Sequence, residues 1–420
     1  MKRTLGSLVV SLVAVAIAAT ACSPTSPPHP IRVGAIYPLS GPQSRGGGID
    51  ELRGVRLAAS LVNAAGGVEG RPVQLVPIDV PGTDAVPAAV DQLHRRGVRL
   101  VMGSYGSTIS RLAATLASRR GMLFWETGAV GEMASVGAGR LAFRVAPSGS
   151  VLGSSAIDFV ARRVALLLHR DPRSLRFAVA KVNNEYGGGV GGGAIREIRR
   201  LGLPLAGAVT YDPDELDASK VVHRIAAMHP DVLFVSSYLK DGIALRREMV
   251  RQHLKLVASI GTSSSYCMPM FGRALGTDAV GLFASDKPDA DFIGPKALRP
   301  GARRLLERAG TMYRRLHGQD MDAPALAGFA AAWGLFHDVM PRAGGAAPDE
   351  VARAARTTSL PVGSLPNGSG LAFGRAGGPG AGANLRAASV IWEWTGVDRR
   401  AVVWPPAFAT HPIQPIPLAA

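Results

Sequence analysis

The chain has 420 residues, 47% of them apolar, which is enough for full hydrophobic cores but longer than one core usually serves. Its formal charge of +16 would normally suggest a nucleic-acid partner, but only seven of its 47 basic residues are lysines and the arginines are spread along the chain in pairs. These pairs fall near the ends of predicted helices, where a cation suits the carbonyl terminus, so solvated helix ends are favoured over nucleic-acid binding.

The N-terminal segment has the features of an export signal. Met1-Lys2-Arg3 is basic, Leu5 to Ala19 is almost uncharged and apolar, and small residues precede Cys22. The apolar run is too short to span a bilayer comfortably, and the placement of the cysteine resembles a bacterial lipoprotein signal, in which the thiol is lipidated. We therefore expect a signal peptide over 1–21 and a lipidated tether over 22–30. The alternative is an ordinary signal peptide with an incidental cysteine, which would give a secreted or periplasmic protein.

From Ile31 onward, short β-branched segments alternate with segments of helical periodicity. The first block predicts strands at Ile31–Tyr37, Pro72–Asp79, Val98–Met102 and Gly121–Trp125, and an extended segment at Phe143–Pro147. Alternation of strands and helices implies a parallel sheet covered on both faces.

A second block repeats this pattern. It predicts strands at Phe177–Val182, Leu205–Thr210, Asp231–Ser236, Leu256–Gly261 and Gly281–Ser285. Helices near 302–316 and 326–340, a glycine-rich loop over 363–383, a late strand at Ser389–Trp394 and an irregular proline-rich tail follow. We therefore expect an α/β protein with two doubly wound parallel-sheet lobes.

No pattern in the sequence indicates catalysis. The run Gly187–Gly193 invites comparison with a phosphate-binding loop, but no Gly-Lys-Ser/Thr follows it, and we interpret it as a flexible helix start. HExxH and GxSxG motifs are absent, and the nine histidines have no metal-ligand spacing. We expect no catalytic residues, no metal and no cofactor, and an extracytoplasmic enzyme is disfavoured.

Polar loops at the carboxyl ends of the predicted strands are the candidates for ligand binding, because open α/β sheets bind ligands at that edge. The segment Gly103–Ser110 brings several hydroxyl groups to the start of a helix, so Ser107 and Thr108 either bind an anionic group or cap the helix. Tyr186 and Tyr238 follow two strands of the second block. They either form the rim of a site or pack in the core.

Several motifs, in order along the chain, resemble the branched-chain amino-acid-binding proteins, which are type I periplasmic-binding proteins of ABC importers. The motifs are Ile31 to Pro42 (IRVGAIYPLSGP), Asn63 to Pro72 (NAAGGVEGRP), Val101 to Thr108 (VMGSYGST), Phe143 to Pro147 (FRVAP), Asn184 to Gly187 (NEYG), Asp231 to Ser236 (DVLFVS) and Val390 to Trp394 (VIWEW). The resemblance implies two lobes joined by three crossings, near Pro147, Ser285 and Gly377. It implies an N-terminal lobe of 31–147 and 286–376, a C-terminal lobe of 148–285 and 377–404, and a tail of 405–420.

The resemblance also implies roles for residues of this chain. Ser107 is similar to the serine that binds the ligand carboxylate, and Gly128 and Val130 stand where backbone or hydroxyl groups face the ligand. Tyr186 and Tyr238 are similar to aromatic residues of the second lobe.

Two positions depart from the family pattern. Ser263 stands where amino-acid binders commonly place the acid that pairs with the ligand ammonium, and a serine cannot supply that charge. Glu126, on a loop of the other lobe, is our candidate for a compensating carboxylate. In addition, the Ser44–Gly48 loop has glycines where an aromatic residue often lies over the ligand.

The sequence therefore predicts a monomeric, membrane-tethered receptor that closes on a small carboxylate-bearing ligand and delivers it to the membrane subunits of an ABC permease. A branched-chain amino acid, an amide and an aromatic acid all remain open as ligands. The alternative is a receptor with the same fold that presents its liganded form to a signalling partner.

Overall fold

The computed structural model describes residues 29–132, 140–378, 380–414 and 416–418. The predicted signal peptide, Cys22 and nearly all of the tether lie outside these residues. Within them the chain forms two α/β lobes, each built on a mainly parallel sheet. This confirms the predicted fold class.

The first sheet has five parallel strands in the order β2-β1-β3-β4-β5. The strands are β1 (Ile31–Tyr37), β2 (Val73–Asp79), β3 (Leu100–Gly103), β4 (Leu123–Glu126) and β5 (Ala142–Arg144). Successive side chains enter opposite cores, as Val101 and Met102 do, so both faces of the sheet are covered. Helix α1 (Ile49–Ala64) covers one face, and α2 (Val86–Arg95) and α3 (Ser107–Arg119) cover the other.

The second sheet has seven strands in the order β12-β11-β10-β9-β8-β6-β7. The strands are β6 (Phe177–Val182), β7 (Leu205–Tyr211), β8 (Val232–Ser236), β9 (Ala258–Thr262), β10 (Phe283–Asp286), β11 (Val390–Gly396) and β12 (Arg399–Trp404). Strands β6 to β10 are parallel, whereas β11 and β12 join as an antiparallel edge.

The remaining helices divide between the lobes. The second lobe has α4 (Gly149–Phe159), α5 (Ala165–Leu167), α6 (Glu185–Arg200), α7 (Ala218–Ala226), α8 (Leu239–Arg251) and α9 (Pro269–Leu275). After β10 the chain returns to the core of the first lobe through α10 (Pro300–His317), α11 (Ala323–Trp333), α12 (Met340–Ala343) and α13 (Pro348–Thr357).

The chain passes between the lobes three times. It crosses between β5 and α4, returns between β10 and α10, and crosses again between Phe373 in the first core and β11 in the second. The residue bounds of the lobes given above stay a prediction.

The glycine run Gly187–Gly193 lies inside α6 and forms a packing surface. A Cβ atom added at Gly193 would lie 2.5 Å from the Cα atom of Ser150, and one added at Gly153 would lie 2.1 Å from the carbonyl oxygen of Val190. Because side chains are missing on both helices, α4 and α6 approach backbone to backbone. The run lies at the start of α6, as the sequence predicts, but close packing against α4 and not flexibility accounts for Gly193, whereas Gly188 has open space in front of it.

Strand β12 was not expected from the sequence. Asp398, with φ of 51°, turns the chain after β11, and Arg399–Trp404 pairs back along that strand. A charged strand start and a following proline obscure the alternation that identifies strands, so only the pairing with β11 defines this element.

Candidate ligand-binding site

A small cavity of about 10 Å³ lies between the lobes, at the carboxyl ends of the strands. It is lined by Gln43, Tyr105, Gly106, Ser107, Gly128, Val130, Tyr186, Tyr238, Ser263, Ser264 and Lys287. Six of the eight predicted ligand-binding residues are in this set, and Thr108 and Glu126 are not. The volume suits about one water molecule, so the lobes meet closely at this point.

Ser107 lies at the first turn of α3, where the chain leaves β3. Gly106 caps this helix in an extended conformation and turns the Ser107 side chain toward the loop after β4. There Ser107 Oγ accepts a hydrogen bond from the backbone N–H of Gly131 at 3.0 Å. Its hydroxyl hydrogen is left to donate to a second group, as binding of a carboxylate would require.

Thr108 is half-buried on the next position of α3 and does not line the cavity. Neighbouring residues of a helix project about 100° apart, so Ser107 and Thr108 cannot both face one small cavity. Thr108 therefore belongs to α3 but not to the cavity wall.

Two tyrosines form the wall contributed by the second lobe. The rings of Tyr186, on α6, and Tyr238, at the start of α8, lie with their centroids 5.3 Å apart. The Tyr186 hydroxyl bonds with Thr262 Oγ1 at 2.6 Å and donates to the carbonyl oxygen of Ser263. Tyr186 is 3% exposed and belongs to the lobe core, so it both lines the cavity and stabilises the lobe.

Glu126 is fully buried, but the structure does not bring it to the cavity. Its carboxylate accepts backbone hydrogen bonds from Gly128 at 2.8 Å, Ala129 at 2.7 Å and Ser104 at 3.0 Å, and a further one from the Ser110 hydroxyl. Burial raises its pKa to about 6. The expectation that Glu126 supplies the charge missing at Ser263 is therefore corrected, because its oxygens are used in shaping the loop after β4.

The charged residue that does line the cavity is Lys287, which the sequence interpretation missed. It follows β10, is 5% exposed, and its Nζ donates to the carbonyl oxygen of Gly128 at 3.0 Å. Its position two residues after the predicted strand Gly281–Ser285 was the available signal, because ligand-binding loops were expected at such strand ends.

Tyr105 was also missed, and it supplies an aromatic ring near the Ser44–Gly48 loop. The ring occupies the space in front of Gly47, where an added Cβ atom would lie 2.7 Å from it. Its hydroxyl bonds with Ser264 Oγ of the second lobe at 3.3 Å. Gly47 therefore makes room for an aromatic residue that comes from the loop after β3.

Glu51 is a further buried carboxyl group, directly behind Gly128. A Cβ atom at Gly128 would lie 2.0 Å from Glu51 Oε2, so a glycine is required there. Glu51 Oε1 accepts a hydrogen bond from Thr127 Oγ1, which also bonds with the Tyr37 hydroxyl at 2.8 Å. Burial, reinforced by the charge of Glu126, raises the pKa of Glu51 to about 8.

A larger cavity of about 800 Å³ adjoins the small one. The two share Tyr105, Ser263, Ser264 and Lys287, and the rest of the larger lining combines arginines and aspartates with apolar residues such as Ile49, Met268 and Met270. Among the described residues, no group of three or more His, Cys, Asp or Glu is placed to hold a metal ion. No helix in the same part of the chain is long and apolar enough to cross a bilayer.

Two α/β lobes whose loops line a shared cleft define the class of two-lobed solute-binding proteins. Residues 30–389 match the family described as periplasmic binding protein, and the chain belongs to that family. This confirms the resemblance seen in the sequence. Members of the family are solute-binding receptors that work outside the cytoplasm.

Individual relatives agree with this assignment. The chain is 26% identical over 349 residues to the Leu/Ile/Val-binding protein homolog 8 of Brucella abortus, an alignment that covers 82% of this chain and 84% of the relative.

Solved structures share the fold at low sequence identity. A leucine-binding protein from Thermotoga maritima superposes with a TM-score of 0.71 at 16% identity, covering 89% of this chain and 97% of that one. A branched-chain amino acid transporter substrate-binding protein from Streptococcus pneumoniae, in complex with isoleucine, superposes with a TM-score of 0.70 at 16% identity, over 90% and 100%. A solute-binding protein from R. palustris, in complex with benzoate, gives 0.69 at 14% identity, over 92% and 99%.

Proposed function

We propose that this chain is the extracytoplasmic solute-binding receptor of an ABC importer and closes on a small carboxylate-bearing ligand. The observation that carries the proposal is the convergence of loops from both lobes on one cavity. Ser107 and the backbone of the loop after β4 come from the first lobe, and Tyr186, Tyr238 and Ser263 come from the second.

Contacts across the cleft support closure as the working motion. Tyr105 bonds with Ser264 between the lobes, and Arg111 of α3 forms an ion pair of 3.2 Å with Glu185 of α6. Access of a ligand to the small cavity requires these contacts to separate, and the three crossings of the chain are suited to serve as the hinge. A receptor that works in this way performs no chemistry on its ligand.

The relatives support the ligand class. The names of the Brucella relatives refer to leucine, isoleucine and valine, and the structural neighbours include complexes with isoleucine and with benzoate. These ligands share a carboxylate and an apolar body, and the amino acids among them also have an ammonium group, which benzoate lacks. The shared carboxylate is the feature that we carry over to this chain.

The cellular setting is part of the same proposal. Lipidation at Cys22 would hold the receptor on a membrane as a monomer, and the tether over 22–30 would let its lobe surfaces reach the permease. The cleft would hold the ligand and would not contact the permease.

A thermal-shift screen of the purified exported chain tests the proposal. The panel contains amino acids, their amides, aromatic acids and short carboxylates, because a compound that binds only the folded state raises its melting temperature. We expect at least one carboxylate to raise the melting temperature and its amide to fail. Shifts from amides alone, or from none of these compounds, would contradict a carboxylate receptor.

A further inference from the structure

Lys287 is the only charged side chain among the described residues that line the small cavity. Its Nζ carries three N–H groups, and one of them donates to the Gly128 carbonyl oxygen at 3.0 Å. No other described residue accepts a hydrogen bond from it. At 5% exposure, this ammonium group is removed from water and has N–H groups left for a ligand.

The nearby carboxyl groups do not replace Lys287 as the charge that faces the small cavity. Asp286 Oδ1 forms a buried ion pair with Lys287 Nζ at 3.9 Å, a distance too long for a hydrogen bond, and Asp286 lines the larger cavity only. Its Oδ2 accepts a hydrogen bond from Cys267 Sγ at 2.8 Å. Glu51 lies behind the Gly128 backbone, and its raised pKa of about 8 keeps it mostly protonated near neutral pH.

A ligand ammonium would find an unfavourable environment here. The Gly128 carbonyl oxygen, an acceptor on the loop that faces the ligand, already bonds with the Lys287 ammonium. Ser263 offers a hydroxyl and no charge. A second ammonium group placed in the small cavity would therefore meet a like charge at short range without a carboxylate in the wall of that cavity, which is costly in a closed cleft of low dielectric constant.

We propose that Lys287 is a specificity-determining residue that supplies the ammonium of this site from the protein and selects carboxylates that have no ammonium group, such as aromatic acids and 2-oxo acids. The inference rests on the proposed function and narrows its ligand class. The ligand carboxylate would accept hydrogen bonds from Lys287 Nζ and the Ser107 hydroxyl, and the apolar body of the ligand would extend past Tyr105 into the larger cavity.

Matched pairs of compounds test this inference by isothermal titration of the purified exported chain. Leucine and 4-methyl-2-oxopentanoate share a side chain and a carboxylate, as phenylalanine and phenylpyruvate do, and benzoate extends the set. We expect a 2-oxo acid or benzoate to bind at least about 10-fold more tightly than any amino acid of the panel, because one unpaired like charge is enough for that difference.

Variants of Lys287 test the residue itself. Lys287→Met should weaken carboxylate binding by about 10- to 100-fold, as loss of a charge-assisted hydrogen bond does, and Lys287→Arg should retain part of the affinity. The matched control is Lys255→Met, which removes an exposed lysine of the second lobe and should leave affinity unchanged.

Three results would overturn the inference, and they are distinguishable. Tighter binding of leucine than of its 2-oxo acid would leave a carboxylate receptor in place but remove the selectivity assigned to Lys287. Unchanged carboxylate affinity in a folded Lys287→Met variant would do the same. Failure of the wild-type chain to bind any carboxylate of the panel would overturn the proposed function together with the inference. If Lys287→Met does not fold, the comparison of paired ligands on the wild-type chain still tests the proposed selectivity.

Discussion

Ser107 Oγ accepts a hydrogen bond from the backbone N–H of Gly131 at 3.0 Å, so one hydroxyl joins the start of α3 to the loop after β4. Both segments line the small cavity through neighbouring residues, Gly106 and Val130. The hydroxyl therefore holds two walls of the cavity together and remains able to donate to a ligand.

Ser107→Ala should weaken binding of a carboxylate ligand by on the order of 1 to 3 kcal/mol, because a hydrogen bond to a charged group is lost. Isothermal titration measures the change. Thr108→Ala is the matched control, since Thr108 is the next residue of the same helix and lies outside the cavity wall. Equal affinity in the two variants would remove Ser107 from the site.

Tyr186→Phe should lower the free energy of unfolding by about 1 to 2 kcal/mol, because the buried hydroxyl bonded with Thr262 Oγ1 and with the carbonyl oxygen of Ser263 is removed. The ring remains in place, so the wall of the cavity persists. Urea denaturation measures the loss. Tyr238→Phe removes a half-buried hydroxyl that bonds with Asn184 at 3.1 Å and should cost less. A larger loss in Tyr238→Phe would contradict the assignment of Tyr186 to the core.

Two glycines of α6 should respond in opposite directions to substitution by alanine. Gly188→Ala should stabilise the chain by about 0.5 to 1 kcal/mol, because nothing lies within 4 Å of the added Cβ and alanine favours helices. Gly193→Ala should destabilise it by about 1 to 3 kcal/mol, because its Cβ would lie 2.5 Å from Ser150 Cα. Thermal denaturation of both variants checks the pair. Stabilisation by both would show that α4 and α6 do not pack as described.

Glu51→Gln should remove part of the pH dependence of stability. The folded-state pKa of Glu51, about 8, is above its ordinary value of 4.5, so the folded chain holds this proton more tightly than the unfolded chain. Its contribution to stability is fully present below the ordinary value and is lost as pH rises through about 8.

Urea denaturation at several pH values measures this effect. The wild-type free energy of unfolding should fall from weakly acidic to weakly alkaline pH more steeply than that of Glu51→Gln, whose amide stays neutral throughout. Parallel pH profiles would mean that Glu51 is ionised in the folded chain at neutral pH.

Cys22→Ser should release the receptor from membranes, because a single lipidated residue is the proposed anchor. Fractionation of cells that express the wild-type chain and the variant measures the distribution. Cys267→Ser is the matched control, since it removes the other cysteine, a buried residue of the folded domain. Persistent membrane attachment of Cys22→Ser would refute the anchor.

Most of the fold could be predicted because strand and helix periods are local properties. The alternating segments from Ile31 to Ser285 indicated both sheets, and their burial on two faces explains why these strands are so apolar. Strand β12 escaped because its identity depends on a partner, β11, and on a turn at Asp398. The packing role of Gly193 in α6 was missed because only the position of α4 shows that a side chain would not fit there.

The site divides in the same way. The sequence by itself determined that polar loops at strand ends would lie together, since parallel strands bring their carboxyl ends to one edge, and Ser107, Tyr186 and Tyr238 do line one cavity. That this cavity binds a ligand stays a prediction. Only the tertiary structure decided which charge faces the cavity. Glu126 is the last residue of β4 and Lys287 directly follows β10, but the direction of each side chain depends on which hydrogen-bond partners the folded loops present. The backbone N–H groups of Gly128 and Ala129 donate to Glu126 and hold its carboxylate outside the cavity wall. Lys287 donates to the Gly128 carbonyl oxygen and lines the cavity.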